Sequence, residues 1–241
     1  MERGKNVYSR FDGLPELRQA IAKKLAQYNG IVADPETDVT VSAGATGSFH
    51  CACLALLNPG DEFVLFEPYY QYHISALLAV QAVSVTMKMQ APDGMFSTAY
   101  IERAITPRTK AIIVNSPGNP SGKVFSRQEL ESIAAIVQQY ELFVVTDEIY
   151  EYFLYDGRTQ VSLATLPGMA DRTITIGGLL QNIQYHRLAH RLQCRSSAVG
   201  RGDWSYERPA LCLCPDAVAG GGGGGHPGTS RLVLPRSGAR I

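Results

Sequence analysis

The feature that most narrows the fold is the texture of the stretch from Pro15 to Ile176. Helical and extended patterns alternate along it, and several extended segments are apolar on successive residues. Phe63 to Phe66, Ala111 to Val114 and Leu142 to Val145 show no polar residue at alternate positions. A strand with one wet face alternates; a strand that is apolar throughout is buried on both faces. Such strands separated by helices predict an α/β fold: a mostly parallel sheet with helices on both faces.

The helical segments have recognisable ends. Pro15 to Tyr28 carries Leu17, Ile21, Ala22 and Leu25 at helical spacing, and Asn29-Gly30 stops it. A helix is expected from Thr46 to Leu57, closed by the turn signal Asn58-Pro59-Gly60. Tyr70 to Val80 and Thr98 to Ile105 read as helical, and Val39 to Val41, Val83 to Met87 and Thr173 to Ile176 as extended. Arg127 to Tyr140 is amphipathic, with Ser126 as its expected cap and Glu129 at the capping-box position.

Charge and cysteine content exclude some classes. Lysine plus arginine and aspartate plus glutamate number 22 each, so nothing in the balance points to nucleic acid. No cysteine pair has metal-ligand spacing. Cys51 and Cys53 fall in an apolar helical run, where buried thiols are expected. The start of the chain lacks a signal-peptide pattern and no apolar run suffices for a bilayer, so no membrane partner and a cytoplasmic location are expected. His186 and His190 lie four apart but without the glutamate of the zinc-protease motif, so no metal site is expected.

After Gly177 the texture changes. The last lysine is Lys123; residues 187 to 241 hold eight arginines and no lysine, and Gly220 to Gly225 is an unbroken glycine run. Ordering such a run loses much backbone entropy, and a disordered tail over 177–241 is the expectation.

Three polar clusters follow predicted strands, where ligands of open α/β sheets gather. Gly44-Ala45-Thr46 either caps a helix or offers free N–H groups, and the Thr46 hydroxyl, to an anion. Asn115 to Lys123 is dense in turn formers; it is either an ordinary loop or a rigid mount for the Asn119 amide. Asp147-Glu148-Ile149-Tyr150 either caps and packs, or pairs Asp147 with a protonated ring nitrogen and sets Tyr150 on the same side, one helical turn on. Pro68-Tyr69-Tyr70-Gln71-Tyr72 places aromatics where one can stack on a flat ring.

Together, and in this order, these segments resemble the class I/II aminotransferases, the fold-type I pyridoxal-phosphate enzymes, over Tyr8 to Ile176. The resemblance implies that residues 1–176 form part of their cofactor-binding large domain. It implies that Gly44, Ala45 and Thr46 hold the phosphate of pyridoxal 5'-phosphate and that Tyr70 stacks on its ring. It further implies that Asn119 and Tyr150 contact the phenolic oxygen and that Asp147 pairs with the ring nitrogen. Tyr8 resembles a tyrosine that reaches the phosphate of a neighbouring subunit, which implies a homodimer. Transfer of an amino group from an amino acid to a 2-oxo acid would follow. A related lyase or synthase uses the same contacts, and a non-catalytic cofactor-binding fragment is the third reading.

The chain departs from the family at Gly178. Where the family has a Ser-Phe-Ser-Lys-Thr type motif and then Thr-Gly-Trp-Arg, this chain reads Gly178-Leu179-Leu180-Gln181-Asn182 and carries no further lysine. No catalytic residue is therefore assigned: the Schiff-base lysine is absent, and weak or no turnover is expected. The small C-terminal domain is expected to be missing as well. Codons exist for Gly178 to Asn182 that, read one base later, give Ala-Phe-Ser-Lys; the same shift over Tyr185 to His190 gives Ile-Thr-Gly-Trp-Arg. A frameshift near residue 177 is the expectation that accounts for both.

Overall fold

The computed structural model describes residues 11–90, 94, 96–178 and, as backbone, 210–213. The expected α/β architecture is present. In chain order the elements are α1 (Pro15–Lys24), β1 (Val39–Ser42), α2 (Gly44–Leu56), β2 (Glu62–Glu67), α3 (Gln71–Ala79) and β3 (Val83–Lys88). There follow α4 (Thr98–Ala104), β4 (Thr109–Asn115), α5 (Arg127–Gln139), β5 (Phe143–Asp147), β6 (Thr173–Gly178) and β7 (Ala210–Leu213). One sheet orders them β1-β7-β6-β5-β4-β2-β3. The pairs β2–β3, β2–β4, β4–β5 and β5–β6 are parallel, whereas β7 runs antiparallel to both β1 and β6.

The continuous apolar strands serve two cores, as their composition requires. On one face Val64, Ile112, Val114 and Val144 pack against α5 through Leu130, Ile133 and Val137, with Ile101 of α4 beside them. On the other face Phe63, Leu65, Ile113, Val145 and Ile174 pack under Phe49 and Cys53 of α2 and Leu77 of α3. Successive residues point to opposite faces, so an uninterrupted run feeds both layers. The Ser126 hydroxyl accepts from the Glu129 N–H while the Glu129 carboxylate accepts from the Ser126 N–H, completing the capping box at the start of α5.

Two local expectations are corrected. Pro15 to Tyr28 is not one regular helix: after Lys24 the chain widens into a π-turn, Leu25–Asn29, that ends at Gly30 with φ 72°. The wider turn brings Lys24 and Asn29, five residues apart, onto the same buried carboxylate. Lys24 Nζ and Asn29 Nδ2 donate to Glu151 Oε1 and Oε2 at 2.5 and 2.7 Å. Cys53 is buried but Cys51 is exposed, because residues two apart on a helix face different ways. Residues 210–213 form β7 between β1 and β6. Among the described residues no helix is long and apolar enough to cross a membrane.

Candidate functional site

Parallel pairing decides which residues meet. Asn115 of β4 lies opposite Asp147 of β5, and Asp147 opposite Ile176 of β6. Ser42 of β1 and Gly178 of β6 both face Ala210 of β7. The carboxyl ends of these strands therefore share one edge of the sheet, and Gly44, Asn119, Asp147 and Tyr150 leave it on successive loops. The Tyr70 loop leaves β2, parallel to β4, at the same end. An open α/β sheet binds ligands at this edge.

The turn after β1 runs directly into a helix. Helix α2 starts at Gly44, whose φ of 74° favours glycine, and its cap residue Ala43 gives no side-chain hydrogen bond. The first N–H groups of α2 thus lack the usual cap, and Thr46 is exposed at its first turn. The capping reading of Gly44-Ala45-Thr46 is not what the structure has, since these residues form the first turn itself. Ser42 braces the turn: its hydroxyl donates to the Gly44 carbonyl at 3.3 Å and lies 2.7 Å from the Ser48 hydroxyl.

Asp147 is buried, at 6% exposure, and such a carboxylate must have partners. One oxygen accepts from the Ile149 N–H at 3.3 Å, and the other lies 3.3 Å from Nε2 of His73, which is itself buried on α3. Tyr70 caps the same helix one turn earlier, and its ring meets His73 nearly edge-on, with centroids 5.7 Å apart. Tyr70 and Asp147 are in this way joined through His73. The sequence reading missed that role. The available signal was the three-residue spacing of Tyr70 and His73 at the start of a helix.

Asn119 is held by its backbone: its N–H donates to Asn115 Oδ1 at 2.7 Å. Tyr150 stands in the turn after β5, half-buried, against Phe153 at 5.8 Å. No helical turn starts at Asp147; the 147–149 hydrogen bond makes a tight turn instead, so Tyr150 is not one helical turn on. Tyr8 lies outside the described residues. Two lysines are held in ion pairs: Lys24 with Glu151, and Lys123 with Glu129 at 2.6 Å.

Behind Asp147, on the opposite sheet face, Glu148 is 2% exposed. Burial is the main reason its carboxyl is pushed up to about 7. The Ser162 hydroxyl, donating to Oε1 at 2.8 Å, works against that rise, and the nearby Glu151 adds to it. Gln160, on the same strap, donates to the Ser116 carbonyl at 3.3 Å.

The family described as aminotransferase class I and II matches residues 1–179. The chain belongs to this family. Its aminotransferase relatives include a probable N-succinyldiaminopimelate aminotransferase of Mycobacterium tuberculosis, 42% identical over 176 residues, covering 72% of this chain and 44% of the relative. Kynurenine–oxoglutarate transaminase 1 of Rattus norvegicus is 40% identical over 183 residues, covering 71% of this chain and 43% of its own. The solved N-succinyldiaminopimelate aminotransferase from Mycobacterium tuberculosis superposes with a TM-score of 0.77 at 34% identity, over 90% of this chain and 52% of that one. The chain thus spans about half the length of the aminotransferases it matches.

Proposed function

We propose that this chain carries the pyridoxal 5'-phosphate scaffold of an enzyme that moves an amino group from an amino acid to a 2-oxo acid, and that the chain itself turns over weakly or not at all. The observation that carries the cofactor reading is Asp147. It is a buried carboxylate at the ligand-binding edge of the sheet, oriented by His73, and a protonated ring nitrogen satisfies it. The uncapped start of α2, at Gly44, Ala45 and Thr46, suits the phosphate. Tyr70 covers the ring face, while Asn119 and Tyr150 address the phenolic oxygen. Tyr8 would reach the phosphate of a second copy, in a homodimer. When bound, the cofactor supplies an electron sink for the substrate's α-carbon. The protein's part is to keep a proton on the ring nitrogen through Asp147 and to fix the ring's tilt.

The residues fit the cofactor but not the full reaction. Proton transfer at the α-carbon needs a base within reach, which the family takes from its Schiff-base lysine, and no lysine follows Lys123. That absence favours the non-catalytic fragment as second reading. We also propose that the reading frame shifts near residue 177. The family match ends at residue 179, within a few residues of the change in composition, which supports this.

Titrating the full chain with pyridoxal phosphate, followed by tyrosine fluorescence and cofactor absorbance, tests the scaffold. Saturable binding weakened by Asp147→Ala is expected; no saturable binding rejects it. Assays over a panel of amino donors and 2-oxo acids test the rest, and a normal family rate would refute inactivity. Sequencing the gene across codons 176 to 182 decides the frame, because an intact frame with unrelated codons sinks that idea.

A further inference from the structure

Two of the proposed cofactor contacts, Asn119 and Asp147, sit on different segments. Asn119 is four residues beyond the end of β4, and Asp147 is the last residue of β5. One side chain touches both segments. Asn115 Oδ1 accepts from the Asn119 N–H at 2.7 Å, and Asn115 Nδ2 donates to the Asp147 carbonyl at 3.0 Å. The same Nδ2 lies 3.4 Å from the Pro117 carbonyl, inside the loop it spans. An N–H on one side and two carbonyls on the other fix which end of the amide is oxygen. Neither contact survives a flip. The Ser116 N–H adds a second bond to the Asp147 carbonyl at 3.1 Å, so the strand ends are already in register when Asn115 engages the loop.

The rest of the loop depends on that hold. Gly118 N–H donates to the Lys123 carbonyl at 2.8 Å and Gly122 N–H to the Gly118 carbonyl at 2.7 Å, closing residues 118–123 on themselves. These bonds give the loop a shape but do not attach it to β5. Asn119 needs a further restraint to stand at a set height over the sheet edge, and its bond to Asn115 supplies one. A hydrogen bond within the first residues of a loop removes the freedom that a ligand would otherwise have to remove on binding.

We infer that Asn115 is a positioning residue that sets Asn119 and Asp147 relative to one another, so that one cofactor meets both. The inference rests on the pyridoxal-phosphate reading above for its ligand, though not for the bridge itself. Asn115 does not touch the ligand on this account; it acts through the Asn119 backbone and the Asp147 carbonyl. Substitution separates the two halves. Asn115→Ala removes both contacts. Asn115→Asp keeps an acceptor for the Asn119 N–H and turns the other contact into two facing acceptors.

Two measurements on the full chain test the inference. The first needs no cofactor: amide hydrogen exchange, resolved by residue. In Asn115→Ala the Asn119 amide is expected to exchange roughly tenfold faster while β4 and β5 stay protected, and in Asn115→Asp it is expected to remain slow. Unchanged exchange at Asn119 in the alanine variant overturns the bridge. So does fast exchange at Asn119 in the aspartate variant, or a loss of protection that spreads through both strands. The second measurement is a double-variant cycle on pyridoxal-phosphate affinity. Asn115→Ala and Asn119→Ala are each expected to weaken binding by roughly tenfold, and the double variant to bind no more weakly than Asn115→Ala alone, because one residue acts through the other. Independent losses that multiply overturn the inference, since a merely structural role would be additive. If the unsubstituted chain shows no saturable binding, the cofactor reading fails, and the exchange result alone then judges the bridge.

Discussion

Replacing Glu148 by glutamine tests whether a buried acid at the back of the site is neutral. Glu148 is 2% exposed, and only one of its oxygens is hydrogen-bonded, to Ser162. The other oxygen makes no hydrogen bond of good geometry, although the Thr146 and Gln160 side chains flank the carboxyl and work against the rise, and each presents an oxygen that can accept. A protonated acid can donate to such an acceptor, and so can an amide. The carboxyl is pushed from 4.5 to about 7, chiefly by burial. Between those values the folded chain holds a proton that the unfolded chain has released. The resulting stability is complete below the unfolded value and is lost as pH rises through about 7. The full interval is worth about 3 kcal/mol, a ceiling set by perfect enclosure. Glutamine keeps the Ser162 contact and carries no proton to lose. Urea denaturation as a function of pH is the assay. Variant and wild type should agree within about 1 kcal/mol near pH 5, and the variant should lead by about 3 kcal/mol near pH 8.5. A difference that stays flat across that range would mean Glu148 is ionised throughout, and the argument from burial would be wrong.

Three other perturbations follow from contacts described above. Ser126→Ala removes the acceptor for the Glu129 N–H, and thermal or chemical denaturation should register a loss of about 1 kcal/mol. Lys24→Met leaves the buried Glu151 carboxylate without its ammonium partner; a loss of about 2 kcal/mol is expected by urea titration, and a neutral result would show that Asn29 suffices. Gly44→Ala forces a side chain onto a φ of 74°, at a cost of about 1 kcal/mol in denaturation, and should weaken pyridoxal-phosphate binding by more than its effect on stability implies.

Strand interiors were legible in the sequence because burial on both faces leaves an unbroken apolar run. Strand ends were not. Phe63 to Phe66, Ala111 to Val114 and Leu142 to Val145 each locate a strand, yet Glu62, Thr109, Asn115 and Asp147 also pair in the sheet. These polar residues are tolerated because each finds partners from elsewhere. Glu62, for instance, accepts from Thr106, Arg108 and Thr109. A propensity reading cannot see those donors, so it stops where the apolar run stops. The π-turn at Leu25–Asn29 was missed for the same reason: the carboxylate that Lys24 and Asn29 share, Glu151, lies 127 residues from Lys24. The strand at 210–213 depends on β1 and β6 as neighbours, and its surrounding composition gives no hint of either.

The site divides along the same line. Residues that would face a ligand belong to turn-rich segments at strand ends; residue type marked those segments, and the resemblance to the aminotransferases singled out Gly44, Tyr70, Asn119 and Asp147 within them. Residues that hold those in place stayed hidden. His73 reads as a lone histidine until α3 brings it to Asp147; Asn115 reads as one more loop former until β4 and β5 align; Ser42, just past the expected strand, carries no signal until it meets Ser48. A ligand-facing residue is conspicuous because its polar group is out of place in a core sequence. A bracing residue is satisfied by the fold, and only the fold reveals its partner. On the reading proposed above, the braces behind Asp147 and Asn119 come from residues before Gly178 and do not depend on a lysine beyond it, so the geometry proposed for the cofactor and the proposed absence of turnover are compatible.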